Sequence, residues 1–124
     1  MINQSLYKYQ KHLAKFRLSA HRLRIETARY NSKNKYVPPE QRLCPNCHLN
    51  KVEDEEHFLI ECPRYEVERK SLFELASKLS IHFEGLSNFN KFIWIMSNEN
   101  ETLIKELGLF LIIAFEKQAL SYHQ

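Results

Sequence analysis

All three cysteines of this chain fall in one 19-residue window, as Cys44-x2-Cys47-x9-His57-x4-Cys62. A Cys-x2-Cys pair lets two thiolates converge on one ion from a tight turn, here helped by Pro45 and Asn46. Zinc favours four soft or borderline ligands in a tetrahedron, and three cysteines with one histidine form a common structural set. The spacing therefore predicts one structural Zn2+ held by Cys44, Cys47, Cys62 and a histidine. Two histidines compete for the fourth place, His57 and His48. His57 ranks first, because neighbouring side chains in a tight knuckle rarely both reach one ion and His48 directly follows Cys47. The five-residue step from His57 to Cys62 suits a short helix whose end bends back toward the turn.

Cysteine arithmetic argues against the competing disulfide reading. Three is an odd number and would leave one thiol unpaired. The opening stretch, Met1 to Tyr9, is polar and the next is basic, so no signal segment is expected. The expected home is intracellular and reducing, in nucleus or cytoplasm, where such spacing reads as metal rather than disulfide.

Charge divides the chain. Residues 1–42 hold ten Lys/Arg against two acids, a net of +8, whereas residues 43–124 hold eight against thirteen, a net of −5. Such asymmetry points to a polyanion partner for the first segment, set against the plainer reading of a solvated helical face. The expected cationic surface comprises Lys8, Lys11, Lys15, Arg17, Arg22, Arg24 and Arg29.

Only two glycines among 124 residues, with 44% apolar residues, predict a compact and mostly helical chain. One domain is expected over 1–124, with a basic helical arm at 1–30, a zinc-binding turn and helix at 42–65 and a helical core at 66–124. Ile2, Leu6, Tyr9, Leu13 and Phe16 recur at steps of four and three, drawing one apolar helical stripe with Lys8, Lys11 and Lys15 on another face. Ser19 can cap a second helix carrying His21, Ile25 and Ala28 on one face. Asn31 to Pro39 reads as a polar loop. Glu53-Asp54-Glu55-Glu56 suits the positive N-terminus of a helix better than a catalytic carboxylate cluster. Beyond Pro63, Tyr65, Leu72, Ala76 and Leu79, flanked by Phe73 and Leu75, mark an amphipathic helix, and Phe89, Phe92, Ile93 and Met96 a short one. Leu103 through Leu120 is apolar nearly all round at its centre and is expected to be buried. Its aromatic residues read as packing rather than a base-stacking platform. The longest apolar run, Leu107 to Phe115, is too short to span a membrane. The expected architecture is all-α, a bundle of about five helices with an inserted Cys3His zinc turn.

The chain also resembles the zinc-binding C-terminal region of non-LTR (LINE-type) retrotransposon reverse transcriptases. The resemblance begins at Phe16-Arg17-Leu18-Ser19 and continues through Leu23-x-Ile25-Glu26-x-x-Arg29-Tyr30, then Arg42-Leu43-Cys44-Pro45-x-Cys47. Its most specific block is Val52-Glu53-Asp54-Glu55-x-His57-Phe58-Leu59-x-x-Cys62-Pro63-x-Tyr65. Weaker echoes follow at Arg69-x-x-Leu72-Phe73 and Leu107-Gly108-x-Phe110-x-x-x-Ala114-Phe115. The retroviral-type knuckle has a shorter central gap than the nine residues between Cys47 and His57. The resemblance implies Cys44, Cys47, His57 and Cys62 as ligands, and a region downstream of a polymerase that helps grip template RNA or target DNA. No polymerase or endonuclease domain fits in 124 residues, so the chain is expected to be a detached tail or a fragment of a retroelement.

Three functions follow as expectations. The first is a non-catalytic zinc module that binds RNA and/or DNA weakly and salt-dependently, with no membrane and no small-molecule substrate. Glu53 to Glu56 would repel phosphate, which places that contact on the first two helices. The second is a scaffold module docking on a reverse transcriptase body. A zinc hydrolase such as a deaminase is disfavoured: three thiolates and a histidine close the metal shell, and the His-x-Glu motif is missing.

Overall fold

A computed structural model describes the backbone of residues 4–18, 21 and 23–121, and the side chains of 7–18, 21 and 23–120. Ile2, Ser19, Arg22 and the side chain of Leu6 lie outside the described residues. The fold is all-α. Its elements are α1 (Gln4–Arg17), α2 (Arg24–Thr27), a π-helical turn (His57–Glu61), α3 (Glu66–Leu79), α4 (Asn88–Met96) and α5 (Glu101–Ser121), with 3-10 turns between them. Among the described residues the only β features are two isolated antiparallel bridges, Tyr30 with Tyr36 and Leu43 with Val52. No helix of the described residues is long and apolar enough to cross a membrane.

Helix α5 is the spine. On one side α1 lies along it and on the other α3. The stripe expected on α1 buries Leu13 and Phe16, while Lys8, Lys11 and Lys15 stay exposed. The α1–α5 approach is close enough to require glycine at one position: a Cβ on Gly108 would stand 2.4 Å from the Tyr9 Cβ. On α3, Tyr65 just before the helix and Leu72 and Ala76 within it are buried, as their spacing predicts. Phe58 joins the layers, stacking on Phe115 at 4.4 Å between ring centres and meeting Tyr65 edge-on at 4.7 Å. Each such fully buried side chain contributes about 1.5–3 kcal/mol.

Three expectations need correction. The second helix is a single turn. Its start is capped from a distance, because the Arg24 amide donates to Glu53 Oε1 (2.8 Å) and the Ile25 amide to the Glu53 carbonyl (3.0 Å). The chain then turns into a hairpin at Arg29, where the helix would have continued. Second, α5 is not buried all round: Leu103, Leu107, Phe110, Leu111 and Ala114 are buried, but Leu109, Ile113 and Leu120 face outward. A chain this short covers two sides of a helix and leaves the third to solvent. Third, the buried residue of α4 is Ile95, while Phe89, Ile93 and, on α3, Leu79 are exposed.

Candidate metal centre

Two pieces of backbone meet at Cys44, Cys47, His57 and Cys62. The first is a pinched turn. The Leu43–Val52 bridge is extended by bonds from the Cys44 amide to the Lys51 carbonyl (2.8 Å) and from the Glu53 amide to the Arg42 carbonyl (3.0 Å). Asn50 closes the turn in the left-handed region, at φ 55°. Inside it, the Asn46 amide donates to Cys44 Sγ at 3.4 Å, a contact that favours a thiolate.

The second piece starts at Asp54, whose carboxylate accepts from the His57 amide at 2.9 Å in the manner of an N-cap. The first bond after it is α-helical, from the Phe58 amide to the Asp54 carbonyl (3.0 Å). The last is a π bond, from the Cys62 amide to the His57 carbonyl (2.8 Å). That i to i+5 closure brings Cys62 back over His57, so the five-residue spacing and the π turn are one fact. The carbonyls of Phe58 and Leu59 accept from buried Arg69 of α3, at 3.1 and 3.0 Å, which locks the turn to the core.

The four ligand atoms lie within 4.8 Å of one another, and the group could hold a metal ion. Cys44 Sγ is 3.9 Å from Cys62 Sγ, and Cys47 Sγ is 3.4 Å from His57 Nε2. Cys44, His57 and Cys62 are buried, and Cys47 is partly so. His48 is exposed and stands outside the cluster. The Cys62 sulfur beside it, and then burial, push the Cys44 thiol up. Its hydrogen bond in turn brings Cys62 down. Burial opposes a charge on His57, but bonds to Cys44 and Glu61 outweigh it and raise the imidazole to about 9.

Two carboxylates that read alike in sequence have separate jobs here. Glu61 Oε1 lies 2.8 Å from His57 Nδ1 and fixes the ring so that Nε2 faces the sulfurs. Its other oxygen accepts from Asn88 at the start of α4 (3.2 Å). Glu53 is fully buried, not a solvated helix-start acid. Its Oε1 accepts from Arg24 N and from Gln118 Nε2 of α5 (3.1 Å), and its Oε2 accepts from Asn46 Nδ2 (3.2 Å), 3.6 Å from Cys44 Sγ. One carboxylate thus ties the metal turn to α2 and α5. Neither partner was read from the sequence: the i+4 step from His57 could have pointed to Glu61, whereas Glu53 had no local signal.

The seven cations expected to meet nucleic acid do not form one face. Lys8, Lys11 and Lys15 share an exposed strip of α1. Burial and then Lys15, Lys11 and Lys8 in turn lower the proton affinity of His12, so the three lysines act as one field. Arg17 donates to the Met96 carbonyl at the end of α4. Arg29 pairs with Glu26. Arg24 is half-buried beside Glu53. Arg22 lies outside the described residues. In comparisons with protein-family models, curated proteins and solved structures, nothing matches this chain.

Proposed function

We propose that this chain is a non-catalytic zinc module of retroelement origin that binds RNA or DNA weakly, through phosphates, from the α1 lysine strip. The observation that carries the reading is the closed donor set. Zn–S near 2.3 Å and Zn–N near 2.0–2.1 Å put tetrahedral edges at roughly 3.8 Å between sulfurs and roughly 3.5 Å between sulfur and nitrogen. Two of the six edges here, Cys44–Cys62 and Cys47–His57, are 3.9 and 3.4 Å, and all six lie within 4.8 Å. When bound, zinc would supply a four-coordinate cross-link with no open place for water, which is structural and not hydrolytic chemistry. Cys44 and Cys47 hold the turn, His57 and Cys62 hold the π turn, and Glu61 keeps the imidazole in register. Glu53 carries that order to α2 and α5, and α5 carries α1. The resemblance of the block from Val52 to Tyr65, which carries His57 and Cys62, is what supports the retroelement origin.

The test is a titration of zinc-loaded protein against single-stranded and duplex RNA and DNA at two salt concentrations. One phosphate contact from each of Lys8, Lys11 and Lys15 gives a slope of roughly −2 in log affinity against log salt for single strands. Replacing Lys8, Lys11 and Lys15 together by Gln keeps helix propensity, should weaken all sequences alike, and should flatten the slope by about 2. Wild-type protein that binds no nucleic acid at low salt, or a triple variant that binds as wild type, moves the lysine strip to the docking reading, in which it meets an acidic protein surface.

A further inference from the structure

The segment expected to be a polar loop is an ordered hairpin with two exposed aromatic rings. Asn31 makes it. Its side-chain oxygen accepts from the Lys33 amide (2.9 Å) and the Lys35 amide (3.0 Å), while its own amide donates to the Lys35 carbonyl (2.9 Å). Asn34 takes the left-handed position at φ 58°, and the Val37 amide closes the base on the Arg29 carbonyl at 2.7 Å. The Tyr30–Tyr36 bridge puts both rings on one side, edge to face with centres 6.2 Å apart. Tyr30 is 62% exposed and Tyr36 60%.

Below Tyr36 the arrangement is rigid. The Arg42 guanidinium lies 5.4 Å from the ring centre and is itself buried. It is anchored by donating to the Val37 carbonyl (3.0 Å) and the Ile25 carbonyl (2.6 Å). At the tip Lys33 and Lys35 are exposed, and no acid occurs between Thr27 and Pro39. A cross-strand aromatic pair contributes roughly 0.2–1 kcal/mol to its own hairpin, and a buried pair would serve that end better. Two solvent-facing rings below a tip carrying two lysines, one ring backed by a fixed cation, have the make-up of a surface on which unpaired bases stack while phosphates meet ammonium groups.

We propose that the Tyr30–Tyr36 hairpin is a base-stacking platform for single-stranded nucleic acid. The inference deepens the phosphate-binding reading above and rests on it: α1 would supply charge, and the hairpin would supply selectivity for single strands over duplex. Charge complementarity selects this occupant, since the platform is cationic and the aromatic faces accept any base.

The experiment compares zinc-loaded wild type with Tyr30→Leu, Tyr36→Leu, Tyr30→Phe and Tyr36→Phe. The probes are a single-stranded oligothymidylate of about twelve nucleotides and a duplex of the same length, at two salt concentrations. Leu keeps apolar bulk against the partner ring but has no π face; Phe keeps the face. Each Leu variant should lose single-strand affinity by about 5- to 150-fold, with the salt slope and duplex binding unchanged and zinc retained. Each Phe variant should bind nearly as wild type. Replacing Lys33 and Lys35 by Gln should instead flatten the slope by about 1.4. Leu variants that bind single strands as wild type, or lose single strand and duplex equally, overturn the platform. If the α1 triple variant still weakens binding in that case, the phosphate reading stands alone. Wild type binding neither probe overturns both.

Discussion

Between Arg24 and Cys62 the protein forms one helical turn, two pinched hairpins and a π turn. Apart from Phe58 to Ile60, its buried groups are a carboxylate, a guanidinium, an imidazole and two sulfurs. Between Glu66 and Leu120 it forms three helices, whose buried groups are leucines, phenylalanines, an isoleucine and alanines, with Arg69 and Gln118 as the polar exceptions. The second region coheres by apolar burial, which is non-directional and tolerant. The first coheres by directional bonds to groups that are costly to leave unpaired, and by four ligands that repel or protonate each other until an ion joins them. The difference teaches where each can be broken. The helical region should weaken gradually, and the polar region should fail as a unit.

Removing one ligand sets the two regions furthest apart. Structural zinc in small domains is worth about 10–16 kcal/mol of apparent binding free energy. Cys62→Ser, or a strong chelator, should therefore abolish amide-exchange protection across residues 42–62 while α3 and α5 keep much of their helical signal. Loss of protection in both regions together would show that they are one cooperative unit.

Acidity should act on the polar region next. Metal-free His57 is protonated up to about 9, and Cys44 holds its proton higher than an ordinary thiol. A raised histidine favours the metal-free fold at low pH, an advantage lost as pH rises from the ordinary imidazole value of about 6.5 through about 9. Metal binding needs the opposite state, neutral imidazole and thiolate. Affinity should thus climb steeply with pH through that window, because His57 and Cys44 at the least must each give up a proton. Competition with a chelator of known pH behaviour measures it, and a flat profile would refute the assignment of those protons.

Glu61→Gln tests whether the carboxylate behind His57 tunes the site. Metal affinity should fall about 10- to 100-fold, with one ion per chain still bound at saturating metal. The smallest effect belongs to the helical region. Gly108→Ala gains about 1 kcal/mol in helix propensity but drives a Cβ to 2.8 Å from the Tyr9 Cα, a backbone atom that cannot swing away. Overpacking of that kind costs about 1–3 kcal/mol, so the net should be a loss of up to roughly 2 kcal/mol, read as a lower melting temperature with metal content intact. A stabilised variant would mean that α1 does not press on α5 there.

The helical region was legible because its signal is periodic: Leu13 and Phe16, Leu72 and Ala76, Leu107 and Leu111 repeat at helical steps and are buried together. The four-ligand cluster was legible because its residue types are rare in this chain and their spacing is short. What was hidden depends on distant partners. Glu53, Asp54, Glu55 and Glu56 look like one acidic run, yet Glu53 is buried against α2 and α5, Asp54 caps His57 and Glu55 meets His21 at 2.8 Å. The hairpin at Tyr30 was read as a loop, because its order comes from one asparagine side chain and a left-handed Asn34 rather than from alternating apolar residues. The exposed flank of α5 was missed because periodicity reports which residues are apolar and not how many layers are available to cover them.

The most direct test of the account is the metal content of the protein and of two histidine variants, by native mass spectrometry after expression in zinc-containing medium. Wild type and His48→Ala should each carry one zinc per chain with the three cysteines protected from alkylation, and His57→Ala should lose the ion. Metal-free wild type with three freely alkylated cysteines, or a His57→Ala variant that keeps its zinc while His48→Ala loses it, would contradict the centre described here.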